Sequence, residues 1–197
     1  HSFSRRQRQM CIRDRVGRSL FVAQDLSAMV QMIMKRAKEL LEADRCTLFL
    51  IDHDHNEIYS NFTDNVVEIR VPVGVVIAGA VAKTGEMIVI DNAYDDSRFN
   101  REMDEITGYV TRSILAVPIK RSDGMLMGVV QMINKRNQDG QIAQPGPGCS
   151  FDSNDIELLK ELSSQAGVAL ENNESMSAVM RAQSKSKELF EVAQALN

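Results

Sequence analysis

The chain has 197 residues, 44% hydrophobic and 25% charged, enough for one sizeable core with appendages. No apolar run approaches the ~18 to 20 residues of a membrane helix and no apolar signal core opens the chain, so neither membrane nor export is indicated and a cytoplasmic protein is expected. A net charge of −4, with no Trp and three Tyr, argues against nucleic acid as the main partner.

Residues 1–18 carry Arg5, Arg6, Arg8, Arg13, Arg15 and Arg18 with little apolar periodicity and read as a disordered or non-native basic leader. From Leu20 to Ala43 apolar residues recur at steps of three and four, the pattern of an amphipathic helix. Strand-like composition follows over 45–51 and 58–62, joined by the polar turn 52–57, and again over 66–73. This order suggests an antiparallel sheet.

Gly74 to Arg112 is the most informative stretch. Ile77-Ala78-Gly79-Ala80 puts small residues at a helix start, where unpaired N–H groups suit a phosphate, although tight packing of a helix on a sheet asks for the same residues. Asp104, Thr107 and Thr111 share one helical face, or one turn if Gly108 ends the helix, and set an acceptor beside two hydroxyls; an exposed polar face has the same spacing. The run G-x-x-x-x-G-K-[ST] is missing, which argues against a nucleoside triphosphate. Further on, 113–119 and 128–133 read as strands joined by a turn with Asp123-Gly124. Residues 137–150, with Pro145-Gly146-Pro147-Gly148, read as a surface loop. A helix is then expected from Asp152 or Ser153 to the C-terminus, longer than one domain needs, and suited to parallel pairing with a second copy or to a signalling linker.

Catalytic chemistry finds little support. His53 and His55 sit in one turn without converging ligands, so no metal site is expected, and no base is placed to activate a Ser or Cys. Cys11, Cys46 and Cys149 are unpaired in spacing and fit reduced thiols. Cys46 fits a small core residue.

Together these elements resemble a GAF domain of the cyclic-nucleotide-binding kind, found in tandem ahead of phosphodiesterase and adenylyl cyclase catalytic domains. The resemblance rests on residues 43–50, on Ile77-Ala78-Gly79 with 82–86, on Ser97-Arg98-Phe99-Asn100, on Thr107-Gly108-Tyr109 and on 111–115. It also includes the family's Asn-Lys…Phe-x-x-x-Asp-Glu signature as Asn134, Lys135, Phe151 and Asp155. It implies an α+β fold, a six-stranded antiparallel sheet with helices on both sides and long terminal helices. The implied division is a GAF domain over 19–173 and a linker helix over 174–197.

The implied ligand is cAMP or cGMP, held without cofactor, metal or catalytic residue. By position, Thr47 approaches the purine from the sheet, Phe62 stacks on it and the Thr63 backbone reads its edge. Ile77 and Ala78 offer N–H groups to the cyclic phosphate, Asp104, Thr107 and Thr111 line a lid, and Gln131 stands near the ligand. An amide donates and accepts, so Gln131 does not choose between the two bases. Lys135 and Asp155 would form the signature's ion pair, bracing the site without touching nucleotide.

The implied role is allosteric control of an output domain outside this chain, first a cyclic-nucleotide phosphodiesterase and second an adenylyl cyclase, in a homodimer joined through the terminal helices. A ligand-free dimerisation module is the alternative. Val76 stands where the family's Gly-x-Gly-Ile-Ala-Gly run has its second glycine, so the turn there must avoid positive φ or carry strain. Ile156 replaces the signature's final Glu, with Glu157 adjacent, and residues 137–150 lengthen its variable gap.

Overall fold

A computed structural model describes residues 28–29, 31–62, 69–144 and 150–172. The chain divides into two compact units. Gln31–Val168 holds the sheet, and of the other, His1–Val30 with Ala169–Asn197, only 28–29 and 169–172 are described. The expected leader and linker helix, Thr63, Cys11 and Cys149 lie outside the described residues.

Helix α1 (31–40) leads through Glu42, at φ 50°, into β1 (Ala43–Asp52). The turn after β1 is closed by the Asp52 carboxylate, which accepts from the Asp54 and His55 N–H groups at 3.2 and 3.1 Å, and β2 (Glu57–Phe62) returns antiparallel. Next come β3 (Ile69–Pro72), α2 (Val76–Thr84), β4 (Ile88–Ile90), a 3₁₀ turn at Ala93–Asp95 and α3 (Glu102–Thr107). The hairpin β5 (Ile114–Lys120) and β6 (Leu126–Lys135) turns at Gly124, φ 87°, and α4 (153–172) follows.

The six strands form one sheet in the order β3-β2-β1-β6-β5-β4, every pair antiparallel. Side chains alternate between its two faces. Phe49, Ile58, Ile114, Ala116 and Val129 meet Ile77, Ala78 and Val81 of α2 on one face. The alternate residues Leu48, Leu115, Ile119 and Met132 are fully buried on the other. There α4 lies against β5 so closely that a Cβ on Gly167 would collide with the Lys120 carbonyl oxygen. Helices therefore cover both faces, the architecture that the resemblance implied.

The start of α4 explains part of the signature. Asp152 is its N-cap and accepts from the N–H groups of Asn154 and Asp155 at 2.8 and 2.9 Å, while Asp155 accepts from the Asp152 N–H at 3.0 Å. This is a reciprocal capping box. The second Asp155 oxygen takes the Lys135 ammonium at 2.9 Å, and that ammonium also donates to the Leu41 carbonyl at 2.9 Å. One buried carboxylate thus fixes the start of α4 and, through Lys135, the end of β6 and the residue after α1. Glu157 takes no part, being exposed and paired with Lys160 at 2.8 Å.

Candidate functional site

The site is built on the sheet face covered by α2. Thr47 pairs with Gln131, and Gln131 with Ala116, so an amide and a hydroxyl sit side by side on adjacent strands. Thr47 lies two residues from Phe49 and Gln131 two from Val129, both in the apolar layer under α2, and both polar residues are half-buried. The register across β1 and β6 brings together residues far apart in sequence. Phe62 is placed by its backbone, opposite Leu48.

The start of α2 closes over this floor. Ile77 and Ala78 are 3% and 1% exposed, no side chain caps the helix, and its first turn holds no acid. Its N-terminal N–H groups and positive dipole end are therefore not offset by any side chain of the turn. The preceding loop folds back on the helix, the Gly74 N–H donating to the Gly79 carbonyl at 2.8 Å. A Cβ on Gly79 would stand 2.9 Å from the Pro72 carbonyl oxygen, which explains the glycine by packing.

Val76 does adopt positive φ, 54°. A β-branched side chain there costs on the order of 1–2 kcal/mol. Val76→Gly should relieve that strain, lose part of the gain to extra freedom of the unfolded chain, and raise unfolding stability by about 0.5–1 kcal/mol. Val75→Gly, at φ −99°, should only lose stability. Urea melts of the two variants check the contrast.

The 3₁₀ turn and α3 lie where the resemblance puts the lid, with Thr111 just beyond them. Gly108, at φ 67°, ends α3 after Thr107, so Asp104, Thr107 and Thr111 do not continue along one helical face. The structure joins two of them. Asp104 and Thr111 are 7% and 3% exposed, and the Asp104 carboxylate accepts from the Thr111 N–H at 2.6 Å, the Thr111 hydroxyl at 2.8 Å and the Tyr94 hydroxyl at 3.1 Å. Burial, then the Asp104 carboxylate, raise the Tyr94 pKa, so its phenol stays the donor. Thr107 is exposed and its hydroxyl accepts from the Tyr109 N–H at 3.4 Å.

Tyr109, Asp44, Arg45 and Arg136 were assigned no role from sequence. The Tyr109 hydroxyl donates to Asp44 at 2.6 Å and accepts from the Asn134 amide at 2.9 Å, while the Arg45 guanidinium lies over its ring, 3.5 Å from the centroid. Asn134, fully buried at φ 60°, also donates to the Val110 carbonyl at 2.8 Å and accepts from the Arg112 N–H at 2.6 Å.

Arg136 pairs with Asp44 at 2.6 Å. Desolvation by burial raises the Asp44 pKa, but the Tyr109 and Arg136 hydrogen bonds and the charges of Arg136 and Arg45 outweigh it and hold the pKa below its usual value of 3.8. A depressed folded pKa gives stability that is present above the unfolded pKa and lost as pH falls through the folded one. Arg136→Met should therefore flatten the loss of unfolding free energy on acidification below about pH 4, near the unfolded Asp value. Chemical melts from pH 6 to pH 2.5 measure it.

Among the described residues no three of His, Cys, Asp and Glu are grouped to hold a metal ion, and no helix is long and apolar enough to cross a membrane. Cys46 is a buried cysteine in the reduced state.

Comparison with known proteins agrees with this architecture. The GAF domain model matches residues 25–170, and the chain belongs to the GAF domain family. It is 34% identical over 181 residues to the dual 3',5'-cyclic-AMP and -GMP phosphodiesterase 11A of Takifugu rubripes, covering 85% of this chain and 19% of that protein. It is 34% identical over 194 residues to the probable 3',5'-cyclic phosphodiesterase pde-5 of Caenorhabditis elegans, covering 90% and 25%. A cGMP-specific 3',5'-cyclic phosphodiesterase of Drosophila virilis is 36% identical over 165 residues, covering 75% and 17%. The chain thus spans a quarter or less of the length of these relatives. Among solved structures, the GAF domain of a phosphoenolpyruvate-protein phosphotransferase from Coxiella burnetii superposes with a TM-score of 0.66 at 20% identity, covering 80% of this chain and 92% of that one, and shares the fold.

Proposed function

We propose that this chain is a regulatory GAF domain that binds a cyclic nucleotide, cAMP or cGMP, between the sheet floor and the lid. Occupancy then biases an output domain elsewhere in the parent protein, a cyclic-nucleotide phosphodiesterase. The observation that carries this reading is the Thr47–Gln131 pair, polar groups two residues from Phe49 and Val129 in the sheet face that α2 covers, together with an α2 first turn that holds no acid. Its kinship with three cyclic-nucleotide phosphodiesterases supports the same reading.

In this mechanism Thr47 and Gln131 meet the purine, with Phe62 and the Thr63 backbone completing its recognition. The Ile77 and Ala78 N–H groups take the monoanionic phosphate, a charge suited to a helix N-terminus without a metal. Asp104, Thr107 and Thr111 close the lid, and the closed state is selected by its greater affinity for nucleotide. The GAF domain is kept at 19–173, and the pairing of two copies is assigned to the segment 174–197, outside the described residues.

The saturation of Asp104 by Thr111 and Tyr94 favours a second reading, a GAF domain that dimerises and binds no nucleotide. The two separate in a thermal shift. At a hundredfold excess of ligand over Kd, binding adds about 2.7 kcal/mol. That corresponds to a rise in Tm on the order of 5 to 10 °C for a chain of this size. An unchanged Tm with millimolar cAMP and cGMP supports the second reading.

A further inference from the structure

We propose that residues 109–112 act as a strap coupling the lid to the seats of α1 and α4, with Tyr109 as the positioning residue. Among the described side chains of α3 only Asp104 is buried, and Ile106 and Val110 are 71% and 44% exposed. Ala93 and Phe99 anchor the start of this region in the core, whereas the described part of α3 is held by polar contacts, and such contacts are made or broken by small displacements. On one side Thr111 grips Asp104 through its N–H and hydroxyl. On the other side Asn134 grips Tyr109, Val110 and Arg112.

Asn134 is followed directly by Lys135, whose ammonium joins the Leu41 carbonyl to Asp155, the capping-box partner of Asp152 at the start of α4. Tyr109 adds a separate tie to Asp44, three residues beyond the α1 end of that bridge. A displaced lid pulls on the Tyr109 hydroxyl, and with it on one end of the β1–β6 ladder, where Ala43 pairs with Lys135 beside the seats of α1 and α4. Physical continuity of this kind couples sites only if both ends bias one element, here the strap.

The inference deepens the nucleotide-sensing reading by naming how occupancy leaves the site, yet its first test needs no ligand. Amide exchange of residues 102–107 is measured in the full chain for wild type, Asp155→Asn, Tyr109→Phe and the double variant. Tyr109→Phe keeps the ring under Arg45 and removes only the hydroxyl. Asp155→Asn should speed lid exchange about fivefold in wild type and less than about twofold in the Tyr109→Phe background, the non-additivity of residues in one network. Equal effects in both backgrounds, or none in wild type, overturn the proposal. If Asp155→Asn does not fold, Lys135→Gln takes its place. With saturating cAMP or cGMP, wild type should gain protection at 36–42 and 152–158, and Tyr109→Phe should bind without that gain. Tyr109→Phe with full remote protection overturns the coupling. A wild type that binds neither nucleotide overturns the sensing reading, and the ligand-free comparison still decides the coupling.

Discussion

Asn134→Ala should lower the unfolding free energy by about 3–5 kcal/mol, read as a reduced urea midpoint at constant m. The side chain is fully buried and satisfies three groups at once, the Arg112 N–H, the Val110 carbonyl and the Tyr109 hydroxyl. Truncation leaves the partly buried Arg112 N–H and Val110 carbonyl without this partner, and a buried group so stranded costs about 1–3 kcal/mol. The backbone compounds the loss, because φ is 60° and Asn tolerates the left-handed region better than Ala. A loss below about 1 kcal/mol would mean that the strap is not held by Asn134, since surface substitutions alone stay near 0.5 kcal/mol.

Lys135→Met is expected to cost about 3–5 kcal/mol, because it strands a buried carboxylate. The Asp155 side chain is 9% exposed and faces the Lys135 ammonium, and the Leu41 carbonyl loses its donor in the same change. The second Asp155 oxygen still accepts from the Asp152 N–H, so α4 keeps its cap. Lys135→Met/Asp155→Leu should recover much of the lost stability, since removing both charges leaves none unpaired. Additive losses in that double variant would show that the pair is not the source of the effect.

The sheet was legible from sequence because β1, β5 and β6 alternate or run apolar between clear turns. Gly124 in the last hairpin adopts the positive φ that its Asp-Gly turn announced. Strand β4 was not, since three residues, Ile88–Ile90, are too few for periodicity to register. Spacing pointed to Asp104, Thr107 and Thr111, but the stop at Gly108 decides their relation, leaving Thr107 outside while Thr111 folds back onto Asp104. The Tyr109–Asp44 bond spans 65 positions and the Thr47–Gln131 pair depends on strand register, so neither has a local signature. The conflict at Val76 was visible in the glycine pattern, and the backbone answers it with a positive φ.

Isothermal titration of the full chain with cAMP and with cGMP tests the account most directly. Saturable heat with at least one nucleotide, lost in Thr47→Val/Gln131→Leu while that variant keeps its fold by circular dichroism, is the predicted result. No heat with either nucleotide at millimolar concentration, from protein first stripped of bound small molecules, contradicts it.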